Sequence, residues 1–232
     1  MDNLELRLSE CYYVKEVIMN IDQELKKYIE TKVLPEYLKN ESGHGPKHIN
    51  YVIEKSFRIV NENNLDVNPD MVYTVAAYHD IGHHIDSAKH EIISAEIMSK
   101  DENLKKFFTK DELEIIKEAI EDHRASAKHE PRTIYGKIVS TADRSDSIEK
   151  CMARTYTYGQ KWLPGATDDE LFENAHKSLV KKFGKGGYAK HYFKDSGYDK
   201  FLHDIQELLE DKEAFKSKQR DYINKLKKEH KL

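Results

Sequence analysis

Apolar residues recur at helical spacing along most of the chain, and no alternating strand or hairpin pattern competes with them. Ile21, Leu25, Tyr28 and Ile29 set one apolar face, which kinks or ends near Pro35. After the loop Glu41-Ser42-Gly43-His44-Gly45, Pro46 suits a first helical position, and Ile49, Val52, Ile53, Phe57 and Val60 carry the next stripe. Asn68-Pro69 reads as an N-cap and first turn, leading through Val72, Val75 and Ala76. Further helices are expected near 88–99 (Ile93, Ile97), near 110–124 (Leu113, Ile116, Ile120) and from Pro131 onward (Tyr135, Ile138, Val139, Ala142). Residues 159–168 read as a loop, with Asp168 or Asp169 capping the helix that follows. Gly184-Lys185-Gly186-Gly187 breaks the chain again, and one last helix is expected over roughly 198–228.

The pattern predicts an all-α fold: N-terminal helices over 1–43, a core over 44–158, and a C-terminal helical cap over 159–232 packed on that core. The 232 residues can bury a sizeable core. Hydrophobic residues make up 38% and charged residues 34%, the balance that helices with solvated outer faces produce. A net charge of -4 supplies no global basic field, so nucleic acid is not expected as a partner, although a local basic pocket stays open. No apolar run approaches the ~20 residues that span a bilayer, so no membrane association is expected. The N-terminus lacks the charged and apolar blocks of a signal peptide. Cys11 and Cys151 form no CxxC pair, which predicts reduced thiols and a cytoplasmic location.

The apolar stripes carry the chemistry with them. His79 follows Val72 and Val75-Ala76 at helical spacing, and His123 follows Leu113, Ile116 and Ile120 in the same way. His90 shares a face with Ile93 and Ile97. Asp143 lies one and two turns beyond Val139 and Tyr135, and His48 sits one turn before Val52. Spacings of three and four put these groups on or beside buried faces. A buried carboxylate needs a partner or becomes neutral, and no lysine or arginine follows the same stripes. A divalent metal resolves the conflict, because neutral imidazoles and carboxylates are its ligands. One such ion with Asp80 and Asp143 is formally neutral, and two leave about +2, which favours an anionic substrate. The plainer reading of each residue is structural. A single His on an apolar face is more often a core histidine, His79-Asp80 before Gly82 could close a helix, and Asp143 could pair with Arg144. The joint pattern is harder to explain in that way.

The order His48, His79-Asp80, Asp143 resembles the HD superfamily of metal-dependent phosphohydrolases. The segment Ala76-Ala77-Tyr78-His79-Asp80-Ile81-Gly82-His83 is similar to that family's apolar helix ending in His-Asp-x-Gly, and Ser140-Thr141-Ala142-Asp143-Arg144 to its late Asp motif. The resemblance covers roughly 44–150. It implies a compact helical bundle with His48, His79, Asp80 and Asp143 around a central metal. In branches with two metals, the extra histidines fall between the His-Asp pair and the last Asp, where this chain has His90 and His123. Such branches often show paired histidines where Asp122-His123 stands here. Nucleotidase branches place a Glu three residues after the Asp, and the matching position here is His83.

What the resemblance implies for function is hydrolysis of a phosphate ester, with a nucleotide or related small phosphorylated metabolite as the substrate. Asp80 would be the central ligand. His83 would transfer a proton or orient phosphate, as an imidazole with a near-neutral pKa can. Arg124 and Arg144 would stabilise charge on the transferring phosphoryl group, the alternative for each being a salt bridge. Mixed nitrogen and oxygen ligation suits Mn, Fe, Co, Ni or Zn, as one or two ions, with Mg less favoured. Two rival readings use the same scaffold: a di-iron oxygenase, and a non-catalytic nucleotide-binding regulatory module.

Overall fold

The computed structural model describes residues 21–145 and 147–229, with the side chain of Ser42 set aside. Residues 1–20, including Cys11, lie outside the described residues. Among those described the chain is all-α, with no strand. It divides into two compact units, one holding residues up to Asp143 together with His191–Lys194, the other holding Arg144–Lys190 and the residues from Asp195 onward.

The first unit begins with α1 (Gln23–Tyr28), capped by the Asp22 side chain. A π-helical turn over Ile29–Val33 and a 3-10 turn over Leu34–Lys39 follow. Pro35 is the physical reason for the change of winding. It has no N–H to donate, and its ring displaces the carbonyl four residues back. Next come α2 (Pro46–Glu62), α3 (Pro69–Tyr78), α4 (His90–Ser99), α5 (Lys110–Glu121) and α6 (Ile134–Ala142). Asn68 caps α3 as the sequence suggests. The last of these helices starts later than Pro131, because the Thr133 side chain accepts from Gly136 N–H and so fixes the N-terminus there.

Helix α3 is the centre of this unit and packs against α2, α5 and α6. Every residue from Met71 to Tyr78 on it is buried. The core joins Leu25, Ile29 and Tyr37 to Val52 and Phe57, Val72 and Val75, Met98, Ile116 and Ile120, and Ile138 and Val139. The short return segment belongs here through Tyr192 N–H to Thr141 Oγ1 (3.3 Å) and Lys194 N–H to Asn63 Oδ1 (3.0 Å).

The second unit contains α7 (Ile148–Trp162), α8 (Asp168–Phe183), α9 (Ser196–Glu210) and α10 (Lys212–Lys228). The sequence boundary near 158 falls inside α7. Met152, Leu179, Phe183, Tyr198, Phe201, Ile205 and Phe215 form its main core. The single last helix expected over 198–228 is two helices. Asp211 adopts an extended conformation (φ -107, ψ 96), and its carboxylate caps the new N-terminus by accepting from Ala214 N–H. Among the described residues no helix is long and apolar enough to cross a membrane.

Candidate metal centre

The candidate ligands of the first unit sit at helix ends rather than along helix faces. His79 is the C-cap residue of α3, with Asp80 next; Asp143 is the C-cap of α6; His123 follows the C-cap of α5. His48 lies in the first turn of α2, and His90 opens α4. Apolar stripes bury each helix to its end, so the first residues past the end meet in the interior.

Two groups of donors result. His48, His79, Asp80 and Asp143 form one, and Asp80, His90 and His123 form the other, with donor atoms in each group within 4.8 Å of one another. Asp80 belongs to both. Its Oδ2 lies 3.4 Å from His48 Nε2 and 3.4 Å from His79 Nε2, while its Oδ1 lies 3.2 Å from His90 Nε2 and 3.5 Å from His123 Nε2. Asp143 Oδ1 stands 3.2 Å from His48 Nε2. Donors about 2.1 Å from an ion stand about 3.0 Å apart along an octahedral edge and about 3.4 Å apart along a tetrahedral one. The observed spacings are of that size.

The tautomers point the same way. Nδ1 of His79 meets Ala76 O at 2.7 Å, Nδ1 of His123 meets Ile120 O at 2.6 Å, and Nδ1 of His90 meets Ser87 O at 3.0 Å. A carbonyl accepts only from an N–H, so Nδ1 carries the proton in each ring and Nε2 presents its lone pair. The Ala76 and Ile120 carbonyls both belong to the last turn of a helix, where backbone acceptors outnumber donors, and Ile120 O also accepts the His123 backbone N–H at 3.5 Å. His90 Nε2 and His123 Nε2 then face each other at 3.2 Å as two lone pairs. A cation between them, or a proton on one ring, is needed to hold that contact. His48 Nε2 and His79 Nε2 are buried without a hydrogen-bond partner among the described residues. The donor set therefore fits divalent metal.

Charge in the ion-free site follows the same geometry. Burial disfavours the ionised form of Asp80, yet His79, His123 and His48, where a proton takes the place of metal among them, outweigh it and hold the carboxyl well below its usual range. Asp143 is treated alike: burial opposes ionisation, and His48 overcomes it. Burial also disfavours charged His48, but the Asp143 and Asp80 carboxylates raise it to about 9.

Supporting contacts hold the turn in place. Tyr37 Oη accepts from Asp80 N–H (3.2 Å) and donates to Ala77 O (2.9 Å). Ser94 Oγ accepts from Gly82 N–H (3.0 Å), tying α4 to the turn. Gly82 is required there, since a Cβ would stand 2.7 Å from Ile93 Cγ2 and 3.0 Å from Ser94 N. Asp122 turns away from the donors and pairs with Arg132, which donates to it from Nε and NH2 at 2.9 Å each and from its backbone N–H at 2.8 Å.

The other residues singled out in the sequence fall outside both groups. The His83 ring stacks on His44, with centroids 3.7 Å apart. Arg124 donates to Ala88 O (2.6 Å) and stands 3.3 Å from both oxygens of Glu91. Arg144 is buried at the start of the second unit and lies near enough to Tyr198 to oppose the burial that raises that hydroxyl to about 12. Sequence reasoning missed Tyr37, Asn40 and His44. Only His44 carried a signal, as a histidine flanked by Gly43 and Gly45 just before a ligand-bearing helix.

An all-helical unit with histidines and aspartates converging from helix ends defines a metal-ligand bundle. Residues 47–148 match the family model of the HD domain, which supports assigning this segment to the HD superfamily. Neither the curated proteins nor the solved structures searched include a significant match.

Proposed function

We propose that this chain is a metal-dependent phosphohydrolase acting on a phosphate ester, with a nucleotide or a related small phosphorylated metabolite as substrate. The observation that carries the reading is the placement of Asp80, which turns one oxygen toward each donor group. His48, His79, Asp80 and Asp143 would hold one divalent ion, and Asp80, His90 and His123 a second. Bound divalent metal supplies Lewis acidity toward a phosphoryl oxygen and makes water a competent nucleophile near neutral pH. The carbonyls of Ala76, Ser87 and Ile120 fix the orientation of three imidazoles, so their Nε2 atoms need no rearrangement on loading. His83, beside His90 with ring centroids 5.1 Å apart, moves a proton or orients phosphate. Arg124, which pairs with Glu91 next to His90 in the sequence, and Arg144, which follows Asp143, would stabilise charge on the transferring phosphoryl group.

The test is metal analysis of the purified protein, followed by phosphate release from a panel of nucleotides and sugar phosphates with Mn, Fe, Co, Ni, Zn or Mg restored singly. Release that depends on metal and disappears in Asp80→Asn supports the reading. Full metal occupancy without release from any substrate overturns it, and oxygen-dependent turnover of an iron-loaded sample would move the chain to the oxygenase reading.

A further inference from the structure

His123 reaches the second donor group from just beyond the end of α5, where the backbone holds it weakly. Asp122 N–H still meets Glu118 O at 3.1 Å, but His123 N–H meets Ile120 O only at 3.5 Å, long for such a bond. The bond from Nδ1 to Ile120 O sets the rotation of the ring. Where the ring stands depends on the residue before it, Asp122.

Asp122 is 2% exposed, and a carboxylate so buried needs a cation or several donors. Arg132 brings both: Nε, NH2 and the backbone N–H all donate to it. The same guanidinium donates to Glu121 Oε2 at 2.6 Å and to Glu118 O at 3.4 Å, so it spans the last turn of α5. His129 Nε2 stands 3.8 Å from Asp122 Oδ1, too far for a hydrogen bond. The chain that leaves α5 through His123 is thereby closed onto its own starting point.

The closure continues into α6. Arg132 directly precedes Thr133, the N-cap of that helix, and Gly136 packs so closely on α5 that a Cβ there would stand 3.3 Å from Ala119 Cα. Without the guanidinium, Asp122 is a buried carboxylate deprived of its cation, and it must take up a proton or swing toward solvent. Either response releases the closure that holds His123. The first donor group is anchored elsewhere: His79 N–H meets Val75 O at 3.1 Å, and Asp143 N–H meets Val139 O at 2.8 Å.

We propose that Arg132, acting through Asp122, is a positioning residue for the second ion, holding His123 Nε2 where it meets the His90 and Asp80 donors. The inference rests on the metal-dependent phosphohydrolase reading and adds a residue outside both donor groups. Its test is stepwise Co²⁺ binding to the full chain by competition with a chromophoric chelator, with cobalt per chain measured on each sample. Disturbing the support of a ligating histidine predicts that Arg132→Gln weakens one ion, the one that His123→Ala also removes, by about 10–100-fold and leaves the other within about two-fold. Arg132→Lys keeps the charge but not the paired donors, and its affinity should lie between. Asp122→Asn/Arg132→Gln should be no worse than Arg132→Gln alone, since both changes break one interaction. Equal weakening of both ions, as loss of a purely structural contact would give, overturns the proposal. So do unchanged affinities in Arg132→Gln and Arg132→Lys, or a wild type that binds a single ion. Should Arg132→Gln not fold, the split between the two ions in Arg132→Lys decides. Phosphate release by wild-type protein alongside any overturning result sinks the positioning role alone. The expected split without release from any substrate sinks the hydrolase reading alone.

Discussion

Asp80→Asn is the most informative single change. The side chain keeps its shape but loses its charge and presents one oxygen and one NH2 group in place of two oxygens. In the wild type, Oδ2 lies 3.4 Å from His48 and His79 Nε2, and Oδ1 lies 3.2 Å from His90 Nε2. Whichever way the amide turns, one donor group loses the oxygen that residue 80 supplies and gains N–H groups that cannot ligate. The other group keeps an oxygen without the charge. Two unit charges 4 Å apart at an effective dielectric constant of 20 interact by about 4 kcal/mol, and a divalent ion in direct contact has at least that much at stake. The expected weakening of the retained ion is therefore about a thousand-fold in Kd, at 1.4 kcal/mol per factor of ten. Competition against a chromophoric chelator, with metal per chain by mass spectrometry, measures both the stoichiometry and the affinity. His123→Ala is the control, since it removes a donor from the second group only. Asp80→Asn protein that keeps wild-type stoichiometry and affinity would refute the shared-carboxylate geometry.

Metal uptake should release protons. His48 sits at about 9 in the ion-free protein and must be neutral to ligate, so apparent affinity should fall about ten-fold per pH unit below that value where this one proton controls binding. A pH series of metal titrations with no such slope would rule this out. The sign for stability is opposite: the raised folded pKa stabilises ion-free protein below the ordinary value of 6.5, and that contribution is lost as pH rises through about 9, as thermal melts in chelator will show. Tyr37→Phe leaves the Asp80 N–H without its acceptor and should cost about 1–3 kcal/mol in urea unfolding, with weaker metal binding; full retention of both would show that the hydroxyl does not position the turn. Gly82→Ala drives a methyl against Ile93 and the α4 backbone, so a loss of about 1–3 kcal/mol is expected, with the ion that needs His90 lost first in a metal titration. Unaltered stability and two-ion binding would contradict that packing.

The sequence makes the ligands legible because each stripe of buried residues runs straight into one. Val72, Val75 and Ala76 precede His79, and Ile116 and Ile120 precede His123. Periodicity cannot say where a helix stops, so it could not show that His79, His123 and Asp143 lie at or just past helix ends. Nor could it separate Asp122 from His123. Both are buried, and only the position of Arg132 ten residues on turns the carboxylate outward to a guanidinium while the imidazole faces Asp80. The break at Asp211 was hidden for a related reason. Apolar positions on α9 and on α10 each keep helical spacing, and the carboxylate caps the second helix without glycine or proline to announce a stop.

The end-of-helix placement also explains how so many buried imidazoles are tolerated. A histidine one or two residues past a helix can turn Nδ1–H back onto a carbonyl of the last turn, as His79 does to Ala76 and His123 to Ile120. A last-turn carbonyl with accepting capacity to spare and a ring nitrogen that burial would leave unsatisfied thus satisfy each other. What is left over is one Nε2 lone pair per ring, aimed away from the helix. The two oxygens of Asp80 stand among those lone pairs, so that the acceptors converge on places that a cation or a proton must fill. Two helix ends, those of α3 and α5, thus turn spare carbonyl capacity in the last turn into preoriented donors. The same substitution that harms metal binding at such a position should therefore also fray the helix behind it, a coupling that a ligand placed mid-helix would not show.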